Sequence, residues 1–365
     1  MAKRKRSKKN VLRRHAEELF KEEIAEIKKQ DKKPCPTNWK LSPWAVKQYI
    51  LGCKLTNGFQ VSTKYFGNEH LVEIAVATLA TDRALLLYGL PGTAKSWLSE
   101  HLAAAISGDS TLLIQGTAGI DEATLRYNWN YARLLAEGPS EDAMIASPIM
   151  KAMQVGQVAR VEELTRVGSD VQDTLITILS EKILPIPELN TEVQAQKGFN
   201  LIATANNKDK GVNEISSALS RRFNTVILPL PNTLEEEVKI VSKRVADMGK
   251  VLDLPAEKPA LEEIRRVVTI FQELRSGLTK NKNKIKKTSG TLSTAEAISV
   301  INSGMAMAAY FGNGVLQARD LASAITGAIV KDPIHDKIAW KEYLKSVAKN
   351  RAGWSDLYKE CCEVL

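Results

Sequence analysis

The chain has 365 residues, 44% of them apolar, which is enough for two ordinary domains with packed cores. No uninterrupted apolar run approaches the roughly 20 residues of a membrane-spanning helix, and the N-terminus lacks the apolar segment of a secretory signal; a cytoplasmic protein is therefore expected. The net charge of +9 is uneven, because residues 1–33 hold 13 Lys and Arg against 6 Asp and Glu and leave only +2 for the rest.

The arm opens "MAKRKRSKKNVLRRH". Such a run suits nucleic acid, an acidic partner or a localisation receptor, and equally a solvated tail. No aromatic side chain interleaves it to stack on bases. From residue 10 to 33, Val11, Leu12, Leu19, Phe20, Ile24 and Ile27 recur at helical spacing between charges, which predicts an exposed amphipathic helix. Prolines at 34, 36 and 43 then mark a boundary. The four cysteines, Cys35, Cys53 and the adjacent Cys361 and Cys362, follow neither a disulfide framework nor a zinc-ligand spacing and are read as free thiols.

Five β-like runs follow, at 84–88, 111–115, 157–161, 199–204 and 224–230, alternating with helical or irregular segments. That alternation predicts a parallel α/β sheet with helices on both faces. After Pro231 the pattern is helical alone. Thr233 with Glu236, and Ser293 with Glu296, have capping-box spacing ahead of apolar helical runs, and residues 275–290 read as a basic loop. The expected division is an arm and helix at 1–60, an α/β core at 61–231, a small helical lid at 232–335 and a helical tail at 336–365.

The stretch "LLLYGLPGTAKSWLSEHL" carries the chemistry. A buried strand, a Gly/Pro turn and a helix form the setting of a phosphate-binding loop, whose pattern ends in Gly-Lys-Ser/Thr. Here Ala94 stands at the glycine position before Lys95 and Ser96, a tolerable exchange if position 94 is already helical. The helix N-terminus favours phosphate; Lys95 would reach the terminal phosphates and Ser96 would ligate Mg²⁺. The nucleotide-binding set is Gly89, Pro91, Gly92, Thr93, Ala94, Lys95, Ser96 and Trp97, with ATP and Mg²⁺ as the cofactors.

From about Tyr65 to Lys331 the chain resembles the MoxR family of AAA+ ATPases. "FGNEHLVEIAVATLATDRALLLYGLPGTAKS" is similar to the family's entry helix and Walker A segment, and "SPIMKAMQVGQVARVEELTRVGSDVQDTLITILSEKILPIP" to its Walker B region. The resemblance implies an AAA+ P-loop core followed by an all-α lid. The acidic pair is Glu162 and Glu163 where the family usually has Asp-Glu; two acids at a strand end serve the Mg²⁺ shell and the attacking water. Glu162 is assigned to the metal and Glu163 to the water. Arg160 is an unusual charge for a buried strand.

"FNLIATANNKDKG" resembles the sensor 1 strand and points to Asn206, with Asn207 as the alternative. "ISSALSRRFNTVILPLP" resembles the arginine-finger segment and points to Arg222, with Arg221 able to share or replace the role. A finger implies a homo-oligomeric ring, hexameric by the family's habit. The family's lid carries a sensor arginine where this chain has Ala295, so either coupling to nucleotide is weaker or a lysine of "KNKIKK" substitutes.

Between the second strand and Walker B lies the place of the helix 2 insert. There Tyr127, Trp129 and Tyr131 alternate as in a β-hairpin, flanked by Arg126 and Arg133, and a second hairpin is expected ahead of sensor 1. The resemblance implies an ATPase that remodels a partner protein, one bearing a von Willebrand factor A domain. Two rivals remain open at this point: a nucleic-acid motor or loader, and an ATP-gated scaffold that hardly hydrolyses.

Overall fold

The computed structural model describes residues 11–206, 213–252, 254–255 and 259–365. The first ten residues of the basic arm, and Asn207, lie outside the described residues. The described residues form two compact units, one within 14–90 and 94–229, the other within 230–365 with 91–93 and 11–13.

In the first unit the strands are β1 (Ala84–Gly89), β2 (Leu113–Gln115), β3 (Tyr127–Trp129), β4 (Met144–Ala146), β5 (Val158–Glu162), β6 (Ile183–Ile186), β7 (Thr191–Gln194), β8 (Asn200–Asn206) and β9 (Phe223–Ile227). Five of them make one sheet in the order β2-β5-β8-β1-β9, every pair parallel. These are the five runs expected from sequence.

Successive side chains point to opposite faces, and both faces are covered. Leu85, Leu87, Val158 and Ile202 pack with Leu98 and Leu102 of the helix Lys95–Ser107 and with Val72 and Val76 of the helix Glu69–Leu79. Leu86, Ala159, Val161 and Leu201 face the opposite layer, with Met150 and Met153 of Pro148–Val155 and Leu175 and Ile178 of Ser169–Ser180. This double burial is why the strands read as continuous apolar runs rather than alternating ones.

The amphipathic segment is packed, not exposed as expected. It forms two helices, Ala16–Leu19 and Lys21–Gln30, and Ala16 and Ile27 are buried. Phe20 and Ile24 join the layer containing Tyr49 and Leu98. Glu23 accepts from Ser62 and pairs with the buried Lys64, while the Ala16 amide donates to Glu100 at 3.2 Å. The apolar stripe predicted helix for part of its length: Val11 and Leu12 precede the helices and, with Leu19, are exposed, while Ala16 and Ile27 are covered, which is a tertiary fact. Pro43 is the first residue of the helix Pro43–Leu51, capped by Ser42.

Both expected hairpins form, β3 with β4 and β6 with β7. Tyr131 is not in the first of them. It begins the helix Tyr131–Glu137 within the β3–β4 connection, capped by Asn130.

The second unit is helical, with Leu234–Val251, Leu261–Ser276, Thr294–Phe311, Ala318–Ile329, His335–Ser346 and Ser355–Glu363 around one core that includes Phe271, Ile301, Leu321, Trp340 and Leu357. The Ser293 and Glu296 capping box closes as expected, whereas Glu236 bonds to the Asn232 amide instead of returning to Thr233. Buried Asp336 accepts from the Ser289, Lys331 and Asp332 amides at 2.6, 3.0 and 2.8 Å and so anchors the end of the basic loop.

Candidate nucleotide site

At the end of β1 the chain turns at once into the helix Lys95–Ser107. Gly92 has φ +79° and Ala94 has φ 64°, ψ 23°, both left-handed. Position 94 is therefore not helical, contrary to the sequence-based expectation, and its Cβ is carried at the strained side of backbone space. Left-handed backbone disfavours an L side chain by roughly 1–2 kcal/mol, and glycine's extra unfolded-state freedom offsets roughly 0.5–1 of this. Ala94→Gly is thus expected to stabilise the protein by up to about 1 kcal/mol, read as a higher urea midpoint. A lower midpoint would show that the loop holds alanine without strain.

The Lys95 ammonium donates to the Gly89 and Leu90 carbonyls at 3.0 and 2.8 Å, which holds it beneath the loop that joins strand to helix. The Trp97 indole is turned elsewhere: it donates to the Lys64 carbonyl at 2.9 Å, and its ring lies 4.2 Å from that of His101. Only the backbone of Trp97 is then available to the helix N-terminus, where first-turn amides and the dipole together favour an anion.

Glu162 ends β5, and Arg160 and Glu162, two residues apart, share the strand face that Val158 shows to the helix Lys95–Ser107. Glu162 Oε1 accepts from Ser99 and from Arg160 Nη2, the latter at 2.8 Å; Oε2 accepts from Thr204 Oγ1 at 2.7 Å. Burial pushes this carboxyl up, but Arg160 and the hydroxyls of Ser96, Ser99 and Thr204 outweigh it and hold the group below the usual carboxylate range. It is a buried, ionised carboxylate beside the Ser96 hydroxyl.

These hard oxygen donors suit Mg²⁺, which is commonly held by one or two carboxylates and by substrate phosphates rather than by an all-protein cage. The described residues contain no cluster of three or more His, Cys, Asp and Glu side chains able to hold a metal.

Glu163 follows immediately with φ 53°, ψ 47°, a left-handed non-glycine residue of the sort found where function over-determines the backbone. Its amide donates to Thr204 Oγ1 at 3.0 Å, so one threonine hydroxyl orders both acids. The Glu163 side chain is partly exposed and pairs with Arg166.

Asn206 ends β8, and the parallel register places it opposite Gly89, the last residue of β1. Gln115 of β2 likewise stands opposite Glu162. All of these residues are at the carboxyl ends of parallel strands, where open α/β sheets bind ligands. Arg222 precedes β9 at the opposite strand end; its guanidinium donates to Ser180 Oγ at 2.8 Å and to the Ala218 carbonyl at 2.9 Å. Arg221 is exposed, and its carbonyl accepts from Arg83.

In the helical unit Ala295 is the second residue of Thr294–Phe311. Arg275 pairs with Glu237 at 2.8 Å and donates to the Leu292 carbonyl, two residues before that helix.

Ser99 and Thr204 were not picked out from sequence. Their signals are weak but real: Ser99 is one helical turn beyond Ser96, and Thr204 shares a strand face with Asn206.

In the sheet, β8 stands between β1, which leads into the candidate phosphate loop, and β5, which ends in the acidic pair. The model of the AAA domain, dynein-related subfamily, matches residues 84–223, and that of the YehL-like AAA+ ATPase C-terminal domain matches residues 235–363. The uncharacterized protein YehL of Escherichia coli (strain K12) is 39% identical over 348 residues, covering 93% of this chain and 94% of that protein.

The chain belongs to the YehL-like AAA+ ATPases. A second relative, the uncharacterized protein SH1500 of Staphylococcus haemolyticus (strain JCSC1435), is 27% identical over 158 residues, 43% of this chain and 59% of its own length. Among solved structures, NtrX from Brucella abortus in complex with ADP is similar at a TM-score of 0.48 and 12% identity, covering 77% of this chain and 59% of that one. A likeness that loose adds nothing to the assignment. No described helix of this AAA+ chain is long and apolar enough to cross a membrane.

Proposed function

We infer that this AAA+ chain is a Mg²⁺-dependent ATPase of the MoxR-like kind, cytoplasmic, that assembles as a hexameric ring and uses ATP binding and hydrolysis to remodel a partner protein. The observation that carries the reading is the meeting of the Ser96 hydroxyl with the ionised Glu162 at one end of the sheet, with Asn206 in register beside Gly89.

In this reading Lys95 and the amides of residues 92–97 bind the phosphates and orient the terminal one. Ser96 and Glu162 hold the metal, which when bound neutralises charge on the phosphates. Glu163, next to the metal-holding acid, positions a water and takes its proton, and Asn206 donates to the terminal phosphate. Turnover requires Glu163 to exchange Arg166 for that water.

Arg222 is the residue proposed to reach a neighbour's site. If it acts in trans, mixing Arg222→Ala protein with Glu163→Gln protein is expected to restore part of the ATPase activity that each has lost, since some interfaces then contain both intact groups. Native mass spectra that demonstrate subunit exchange, with no activity regained, would remove Arg222 from the role. Complementation by Arg221→Ala instead would transfer it to that exposed neighbour.

The proposed client carries a von Willebrand factor A domain, and the test is a protein that copurifies in ATP and is lost in ADP. The nucleic-acid motor reading rests on the arm. ATPase activity stimulated by DNA or RNA, with binding that falls steeply with salt, would favour it. One specific observation favours the scaffold reading: Arg160 already pairs with Glu162. Steady-state turnover with Mg²⁺ and ATP separates a scaffold from a motor.

A further inference from the structure

We propose that Arg160 is a resident cation for the Glu162 carboxylate, so that this protein binds ATP with little dependence on a divalent metal and needs Mg²⁺, held weakly at Ser96 and Glu162, for hydrolysis alone. The inference rests on the nucleotide-site reading above and concerns the regulation of that same site.

Three observations carry it. The pair is dry, with Arg160 and Glu162 side chains 5% and 4% exposed, so their charges act on one another with little screening. The guanidinium is also held on every side: Nε donates to Ser99 Oγ at 3.1 Å, Nη1 to the Ser110 carbonyl at 3.0 Å and Nη2 to the Ser96 carbonyl at 3.2 Å. Finally, Ser99 bonds both members of the pair, so the cation on β5 is tied to the helix that starts at the phosphate loop.

A carboxylate beside bound phosphates repels them unless a cation intervenes. In this chain the cation is part of the protein. Arg160 therefore removes much of the electrostatic reason to recruit a metal and occupies one oxygen of the acid that would orient the metal's shell. The consequence is a nucleotide switch that stays loaded when divalent metal is scarce.

A purely structural arginine would tie the same elements together without altering metal linkage, and the experiment separates the two. The affinity of the full chain for ATPγS is measured in EDTA and in Mg²⁺, and Mn²⁺ binding to the ATPγS complex is followed by electron paramagnetic resonance. For the natural sequence the two nucleotide affinities are expected to agree within about tenfold. Arg160→Gln is expected to lose about tenfold or more in EDTA only and to bind Mn²⁺ correspondingly tighter, while Arg160→Lys, which keeps the charge, stays near the natural protein.

A folded Arg160→Gln protein with unaltered metal dependence would overturn the proposal. So would a natural protein whose ATPγS affinity rises more than about 100-fold with Mg²⁺, a reading that needs no variant to fold. Absence of ATPγS binding under both conditions would instead sink the nucleotide site itself, and this inference with it.

Discussion

Lys95→Ala is expected to lower ATP affinity about 100-fold, the equivalent of about 3 kcal/mol for a charge-assisted contact to phosphate. The lysine is held by two carbonyls of its own loop, Gly89 and Leu90. Its removal deletes the positive charge but leaves Gly92 and the helix start to shape the loop backbone. Far-UV circular dichroism should be unchanged, and isothermal titration with ATP should lose its signal at micromolar concentrations. Retained affinity in a folded variant would mean that nucleotide, if bound, sits elsewhere.

Glu163→Gln is expected to keep ATP binding and to reduce turnover by roughly 10²–10⁴-fold, the range supplied by a positioned general base. The amide has the shape of the acid and leaves the Glu163 backbone bond to Thr204 intact, but it cannot accept a proton from water. Phosphate release under saturating Mg²⁺ and ATP measures the loss. Glu162→Gln should behave differently. It breaks a buried ion pair, leaves Arg160 uncompensated and should destabilise the fold by roughly 3–5 kcal/mol. If Glu163→Gln turned over as fast as the natural protein, the water-activating role would pass to another group.

How much of this was legible beforehand differs from residue to residue. Lys95 and Ser96 could be named as candidates because phosphate chemistry demands particular residue types at fixed local spacing, and Glu162 and Glu163 because the segment around them resembles a Walker B region. The five strands could be found because burial on both faces leaves uninterrupted apolar runs, and Ser293 with Glu296 because a capping box is a four-residue device. The condition set for Ala94, a helical position, is not met. Its φ is fixed by how strand and helix are held on either side, a constraint that composition does not express. Tyr131 continued an aromatic alternation on paper, yet Asn130 caps a helix there, and local capping overrode the period.

The sequence by itself determined where a phosphate-loop pattern lies and where most strands and helices form, because those follow from residue type and short-range period. Only the tertiary structure decided who neighbours whom. The helices at 16–30 look the same on paper whether solvated or packed, and it is Ile27, Phe20 and Glu23 meeting a prepared surface that covers one face of them. Arg160 reads as an oddity until the fold brings Ser96, Ser99, Ser110 and Glu162 around it. A buried charge is tolerable only where its partners converge. Here that convergence joins positions more than 40 residues apart in the chain, a relation no local pattern can state.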